Sequence, residues 1–140
     1  MAFLAKTLKV EYALVAELLA GGSTARTVRL YAGGGLAPNL EYGLAGTPCE
    51  QVMGKLLCWY PRDIQRQFPL DPLLVEMAAE SYVGIPLWDS KGDPIGLIAV
   101  LSKEPLNEER LAPVRAVLQI VAVRCAHELE SMRHEARLLE

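Results

Sequence analysis

The most informative segment of the chain is ESYVGIPLWDSKGDPIGLIAV, residues 80–100. Apolar and β-branched residues lie on both sides of a short polar segment, Ser90-Lys91-Gly92-Asp93, and this arrangement is typical of two β-strands joined by a tight turn. Gly92 suits the turn, because a residue without a Cβ can take a positive φ without a steric clash. We therefore predict a β-hairpin over this stretch.

The hairpin and three segments that precede it resemble the GAF family of small-molecule sensing domains. The three segments are LAGTPCE at residues 44–50, YPRDI at 60–64 and FPLD at 68–71, and they occur in this order before the hairpin. GAF domains accompany kinases, cyclases and transcription regulators. This variant is similar to those of bacterial signalling proteins that also carry PAS, histidine-kinase or diguanylate-cyclase domains. The resemblance covers roughly residues 10–125.

The resemblance implies an α+β fold of the GAF/PAS-like type. A central antiparallel sheet of five or six strands would carry helices on one face, a ligand-pocket cap at residues 47–80 on the other, and a long C-terminal helix. We expect residues 1–140 to form one GAF-like domain with a core at about 10–125. Residues 126–140 would extend the C-terminal signalling helix.

The resemblance also implies a pocket with aromatic walls and a few polar groups, which is the usual composition of a small-molecule site. The candidate ligand-binding residues are Cys58, Trp59, Tyr60, Arg62, Asp63, Phe68, Tyr82 and Ile85. Each of these rings could instead simply fill the core.

The implied mechanism is a population shift. A ligand that prefers one arrangement of the cap biases the terminal helix, which passes the bias to an output domain of kinase or cyclase type in a longer chain. No cofactor is expected, and a dimerisation spacer that binds no ligand is the main alternative.

Size, composition and charge set the broad class of the protein. A chain of 140 residues suits one domain, and apolar and charged fractions of 51% and 22% suit a soluble fold. The net charge of −3 and the lack of a basic patch argue against nucleic-acid partners. No apolar run reaches the roughly 18 residues of a membrane span, and no signal peptide is indicated. Three cysteines without a C-x-x-C pair favour a reduced, cytoplasmic protein.

The rest of the chain predicts alternating strands and short helices. Residues 9–19 fit either a helix or a strand, but the break at 21–24 and the alternating run that follows favour a second hairpin. Two Thr-Pro or Asp-Pro pairs, Thr47-Pro48 and Asp71-Pro72, are typical helix starts. In order, we predict strands at 9–19, 27–32 and 39–43, a helix from 48 to about 55, a strand at 56–60 and a helix at 72–80.

The last predicted helix runs from Asn107 to the end region, about 30 residues or about 45 Å. Its apolar residues fall close to a heptad stripe: Leu111, Val114, Leu118, Val121, Cys125, Met132 and Leu139. Such a helix can pair with a second copy or lead into the next domain, and we expect a homodimer through the terminal helices. The alternative is a charged tail that frays.

Catalysis has little support in the sequence. Cys49 is near a predicted helix start, which would lower the pKa of its thiol, and Cys58 could act as its resolving partner. Some GAF-fold proteins are free methionine sulfoxide reductases, but their key thiol precedes the hairpin, and residues 74–82 contain no cysteine. We therefore expect no enzyme, with the reductase as a remote alternative and small apolar core residues as the simpler reading of both cysteines.

Metal and chromophore sites are also not expected. His127 and His134 are seven residues apart, with no cysteine at zinc-ligand spacing. They lie far from the predicted pocket, whereas bilin-binding GAF domains have a histidine beside it. The signature of cyclic-nucleotide-binding members is matched only by Phe68 and Asp71, at a different spacing.

Overall fold

The structure, a computed structural model, describes residues 2–53 and 57–138. Its elements in chain order are α1 (Ala2–Leu8), β1 (Tyr12–Leu18), β2 (Thr24–Ala32), β3 (Gly35–Leu36), β4 (Glu41–Gly43), α2 (Pro48–Val52), β5 (Cys58–Tyr60), α3 (Ile64–Gln67), α4 (Pro72–Glu76), β6 (Ser81–Trp88), β7 (Pro94–Ser102) and α5 (Glu108–Leu138).

The strands form one sheet in the order β3-β2-β1-β7-β6-β5, with β4 paired to the start of β2. Every pairing is antiparallel. The described residues thus give seven strands. The strand that was not predicted from the sequence is β3. It forms because Gly33 and Gly34 both take positive φ and turn the chain back onto the end of β2.

The predicted hairpin is the middle of this sheet. β7 pairs with β6 on one side and with β1 on the other, so both hairpin strands are buried along nearly their whole length. At the turn, Gly92 has a φ of 86°, and the Asp89 carboxylate accepts hydrogen bonds of 2.9 Å from the backbone N–H groups of Lys91 and Asp93. The turn chemistry expected from the sequence is therefore confirmed.

Alternation along the strands divides the core into two layers. On one face of the sheet, which we call the helix face, Val83 and Ile98 pack against α1 and α5. On the other, Tyr82, Leu97 and Leu101 pack beneath α2 and α4. The predicted arrangement, with helices on one face and a cap on the other, is confirmed.

The boundaries of several elements differ from those predicted. α1 and the one-turn α3 were not predicted, and Leu4 and Ala5 of α1 are buried in the helix-face core. β1 begins at Tyr12, because Lys9 takes a left-handed φ of 57° after α1. β2 begins earlier than predicted, since Thr24 pairs with Gly43 of β4.

The two predicted helix starts are confirmed, but both helices are shorter than expected. The backbone N–H of Glu50 donates to Thr47 Oγ1, and that of Leu73 donates to Asp71 Oδ1. α2 ends at Val52 and α4 at Glu76. Residues 54–56, which include the last part of the predicted helix and the first residue of the predicted strand, lie outside the described residues.

The predicted terminal helix is confirmed as α5, one helix of 31 residues that packs on β6 and β7. Its buried side chains are Val114, Leu118, Ala122, Ala126 and Leu129. The first part of the predicted heptad stripe therefore faces the domain's own sheet, and Leu139 lies outside the described residues. None of the helices described here has the length and hydropathy needed to cross a bilayer.

Candidate functional site

A small cavity of about 30 Å³ lies between the sheet and the segment of residues 63–80, which we call the cap loop. Strands β1, β2, β6 and β7 form its floor, and α2 and α4 form its roof. Its described walls are Leu14, Thr27, Leu30, Leu40, Tyr42, Pro48, Cys49, Asp71, Leu73, Leu74, Met77, Tyr82 and Leu101. This volume holds a water molecule and is too small for a metabolite unless the cap loop moves.

Three polar side chains meet at one end of this apolar cavity. The Tyr42 hydroxyl donates to Cys49 Sγ at 3.5 Å, and the Tyr82 hydroxyl oxygen lies 3.3 Å from the same sulfur, with either group able to donate. Cys49 and Tyr82 are both fully buried, at 6% and 1% exposure. The cluster gives the cavity its hydrogen-bonding groups.

The position of Tyr82 depends on Gly84, two residues along the same strand. A Cβ at residue 84 would lie 2.7 Å from the Tyr82 hydroxyl oxygen and 2.9 Å from a methyl carbon of Val52. The Tyr82 ring therefore lies flat over the space that a side chain at Gly84 would need. This conformation brings the hydroxyl to Cys49.

Burial governs the ionisation of this cluster. It raises the pKa of the Cys49 thiol, and the opposing hydrogen bonds from Tyr42, Tyr82 and Thr47 are smaller effects. Burial is likewise the main reason that the pKa values of Tyr42 and Tyr82 are raised. The expectation that a helix start lowers the pKa of Cys49 is wrong. The desolvation of the buried thiolate outweighs the stabilisation that the N-terminus of α2, a helix of five residues, could give it. A protonated thiol is a poor nucleophile.

Asp71 brings a carboxyl group to the cavity wall. Its side chain is 6% exposed and caps α4 by accepting the backbone N–H of Leu73 at 3.1 Å. Burial raises the pKa of this carboxyl group, and the backbone hydrogen bonds from Leu73 and Leu74 oppose the shift. The cavity thus disfavours negative charge even on its own acid.

Four of the predicted site residues lie on the cap side of the sheet: Cys58, Tyr60, Phe68 and Tyr82. Tyr60 makes edge-to-face contacts with Phe68 and Tyr82, at ring-centroid distances of 5.2 and 6.1 Å. Among these four, Tyr82 lines the cavity and the others pack around it.

The other four predicted site residues lie elsewhere. Trp59 and Ile85 are on the helix face, because side chains alternate along β5 and β6 and their neighbours Cys58 and Gly84 take the cap side. Arg62 and Asp63 are exposed where the chain enters the cap loop. The structure therefore does not bring the eight residues together in one site.

Tyr42, Asp71 and Met77 were not predicted as cavity residues, and Cys49 was predicted as a possible nucleophile or a small apolar core residue. Asp71 was predicted as a helix cap, and its place as the last residue of the motif FPLD is a signal that could have placed it at the pocket. Tyr42 lies on a three-residue strand, which is too short for alternation to reveal which face it occupies.

No metal site is found within residues 2–53 and 57–138, since no three His, Cys, Asp or Glu side chains come together there. Larger grooves of about 420 and 560 Å³ flank α5 on the helix face. These grooves are open, and Arg26, Arg124 and Glu128 are among the residues that line the larger one. The cap-side cavity has buried walls, including Cys49 and Tyr82, and polar groups that converge in it, so it is the better candidate site.

Solved structures share this fold. A domain of a two-component sensor histidine kinase protein from Sinorhizobium meliloti aligns with a TM-score of 0.62 at 14% identity, covering 99% of this chain and 91% of that one. The GAF domain of a two-component sensor histidine kinase from Bacillus halodurans gives 0.61 at 14% identity, covering 94% and 93%. The red/green cyanobacteriochrome NpR6012g4 gives 0.66 at 11% identity, covering 90% and 88%.

These likenesses confirm at the level of the fold the resemblance first seen in the sequence: the chain is a GAF-fold domain. No family model matches the sequence. No curated protein matches it either.

Proposed function

We propose that this GAF-fold domain is a sensory module that binds a small molecule in the cavity beneath the cap loop. The observation that carries the proposal is the Tyr42–Cys49–Tyr82 cluster, a set of hydrogen-bonding groups converging in a largely apolar cavity. Small-molecule sites commonly combine apolar walls with a few placed polar groups. Of the residues predicted from the sequence, Tyr82 contacts the ligand, and Cys58, Tyr60 and Phe68 support it.

The ligand enters when the cap loop lifts as one body. The two ends of the loop are hydrogen-bonded to each other: the backbone N–H of Asp63 donates to Glu80 Oε1 at 3.0 Å, that of Ile64 to Glu80 O at 3.1 Å, and Gln65 Nε2 to Ala79 O at 2.9 Å. A loop closed at its neck and packed by its own side chains has the character of an Ω-loop. Such a unit can move about its neck without breaking the sheet.

The signal leaves through residues 103–107, the loop that leads into α5. The indole N–H of Trp59 donates to Leu106 O at 3.0 Å, and the backbone N–H of Leu106 donates to Pro61 O at 2.8 Å. Ser81 Oγ donates to Glu104 O at 2.7 Å. Both strands that flank the cap loop are therefore tied to the start of α5, so a shift of the cap biases the helix by a coupling of about 1–3 kcal/mol.

The outer face of α5 supports a homodimer. Ala116, Ile120 and Val123 follow one another at helical spacing on the side opposite the buried stripe, and Ile120 and Val123 are 75% and 73% exposed. A second copy of the same stripe would cover it in a symmetric contact. The dimer places two copies of α5 side by side as the output element.

The output domain is of kinase or cyclase type, in a longer chain. The solved neighbours from Sinorhizobium meliloti and Bacillus halodurans are parts of sensor histidine kinases, which supports this choice. In this account the domain works in the cytoplasm as part of a bacterial signal-transduction protein.

A thermal-shift screen of metabolite classes tests the binding proposal. A ligand at 100 times its Kd adds about 2.7 kcal/mol, which shifts Tm by several degrees. Met77→Phe adds volume at the cavity wall and should abolish the shift. Val75→Phe adds the same ring on the exposed side of the same helix, where Val75 is 63% exposed, and should preserve the shift.

A dimerisation spacer that binds no ligand is the second candidate function. The small size of the cavity and the exposed stripe on α5 favour it. A screen without a hit, on a protein that carries no co-purified small molecule by mass spectrometry, would select the spacer. A hit that persists in Met77→Phe would contradict the cavity as the site.

A further inference from the structure

We propose, building on the function proposed above, that the cavity takes an uncharged, largely apolar small molecule with one hydroxyl or carbonyl oxygen. Tyr42 and Tyr82 would bind that oxygen. The inference follows from which chemical groups line the cavity and which of them have hydrogen-bonding capacity left.

The charges on the cavity wall do not favour an anionic ligand. None of the described residues that line the cavity is Lys, Arg or His. An anion moved from water into this enclosure would lose its hydration without gaining a cationic partner, which is strongly unfavourable. Carboxylates and phosphates, including nucleotides, are therefore poor ligands for this site.

A cation is not favoured either. Asp71 is the acid on the described wall, and its carboxyl group is already engaged by the backbone N–H of Leu73 as the cap of α4. Burial raises its pKa, so the surroundings favour the uncharged acid. A bound amine would have to share this carboxyl group with the N-terminus of α4 and would lose its own hydration among otherwise mostly apolar walls.

The hydroxyl groups of Tyr42 and Tyr82 can form stronger hydrogen bonds than those they make with Cys49. Both tyrosine hydroxyls have the Cys49 sulfur as their partner, at 3.5 and 3.3 Å, and sulfur is a weak donor and a weak acceptor. A hydroxyl can donate once and accept twice, so each tyrosine keeps capacity for a stronger partner. A ligand oxygen placed between them would exchange weak hydrogen bonds for ordinary ones.

The side chains that form the roof of the cavity can make room for a compact apolar ligand. Leu73, Leu74 and Met77 close the cavity from α4. Met77 is half-buried, and its unbranched side chain adapts readily to a new neighbour. A compact apolar body can replace these side chains against the floor when the cap loop lifts, leaving its oxygen at the tyrosine end.

Three probes with one skeleton and different charge test the inference: 3-phenylpropan-1-ol, 3-phenylpropanoate and 3-phenylpropan-1-amine at pH 7. The alcohol should raise the Tm of the wild-type chain by several degrees at saturation. The anion and the cation should not. Tyr82→Phe and Tyr42→Phe should each weaken binding of the alcohol about 2- to 10-fold.

Two control variants make the comparison specific. Tyr31→Phe removes a hydroxyl on the helix face of the sheet, outside the described cavity wall, and should leave binding of the alcohol unchanged. Arg66→Gln removes an exposed positive charge of the cap loop, outside the described cavity wall, and should also leave binding of the alcohol unchanged.

The outcomes separate this inference from the proposed function. Tighter binding of the acid or the amine, or no binding of the alcohol, overturns the uncharged ligand class. The proposed function still stands in that case if the metabolite screen yields a charged hit that Met77→Phe abolishes. A screen without any hit that Met77→Phe abolishes, charged or uncharged, removes both.

Discussion

Gly84 and Tyr82 show how one missing side chain shapes the candidate site. The motif Tyr-x-Gly places the tyrosine and the glycine on the same side of β6, so the ring can lie over the glycine and reach Cys49. The structure explains the glycine by close approach, since its φ is not in the left-handed region. The Tyr82 hydroxyl can reach Cys49 because residue 84 has no Cβ to occupy the same space.

We predict that Gly84→Ala destabilises the protein by about 1–3 kcal/mol, because the new methyl group would overlap Tyr82 and Val52 in a packed core. Urea unfolding followed by circular dichroism measures the change. Gly43→Ala is the matched control: it lies in β4 with open space around its Cβ and should change stability by less than about 0.5 kcal/mol. Equal effects in the two variants would refute the close approach.

Asp71 makes stability depend on pH in a defined direction. Burial raises its pKa in the folded state above the unfolded value of about 3.9, so the folded protein binds more protons between these two values. Its contribution to stability is full below pH of about 3.9 and is lost as pH rises through the folded pKa.

Asp71→Asn keeps a helix cap but cannot ionise. We predict that the stability of Asp71→Asn relative to wild type increases as pH rises above about 3.9 and then levels off. Urea midpoints measured from pH 3.5 to 7 would show it. A relative stability that falls with pH would mean that the folded protein stabilises the ionised carboxylate.

At the scale of elements, the predictability of the fold follows the strength of local signals. The β6–β7 hairpin and both capped helix starts could be predicted because turn and cap residues act locally. The helix ends could not, since α4 stops at a non-glycine residue. The one-turn α3 begins at Asp63, which takes a left-handed φ of 56° that no local motif announces.

The end of α4 is a Schellman motif built on an unfavourable residue. The backbone N–H of Ala78 donates to Val75 O at 3.0 Å and that of Ala79 to Leu74 O at 3.0 Å, with Ala78 at a φ of 51°. Glycine normally occupies this position because a Cβ is strained there.

We predict that Ala78→Gly stabilises the protein by about 1 kcal/mol and that Ala78→Val destabilises it. Urea unfolding again provides the measurement. If glycine lowered stability, the strain assigned to Ala78 would be too small to matter against the added flexibility of the unfolded chain.

Of the eight candidate site residues predicted from the sequence, four lie on the cap side of the sheet, and Tyr82 among them lines the cavity. All eight were predicted from the family resemblance, which does not state the face of each residue, and alternation along β5 and β6 places Trp59 and Ile85 on the helix face. Cavity walls are assembled from residues far apart in the chain, such as Leu14, Tyr42 and Met77. These residues come together because of the order of the strands in the sheet, and this order cannot be derived from a single sequence.

At the scale of the whole molecule, α5 has two different apolar faces. One packs on the domain's own sheet, and the other presents Ile120 and Val123 to solvent. An exposed pair of β-branched residues on a long helix is the surface that a second copy would cover.

We predict that Ile120→Glu combined with Val123→Glu converts the proposed homodimer to a monomer without unfolding the domain, because both side chains are exposed and new charges would repel across a symmetric contact. Sedimentation equilibrium gives the mass and circular dichroism the fold. Arg115→Glu, an exposed change on the same helix outside this stripe, should leave the mass unchanged. A monomeric wild-type protein would contradict the homodimer.

The proposed mechanism requires the cap loop to open as one body over an intact sheet. Native-state hydrogen exchange in low denaturant tests it directly through the amides of Met77 and Ala79 in the cap loop and those of β7. We predict that the cap amides share one opening free energy and one denaturant slope, both smaller than the values for β7. Cap amides that exchange only with global unfolding, or that fray separately with no common slope, would contradict the account.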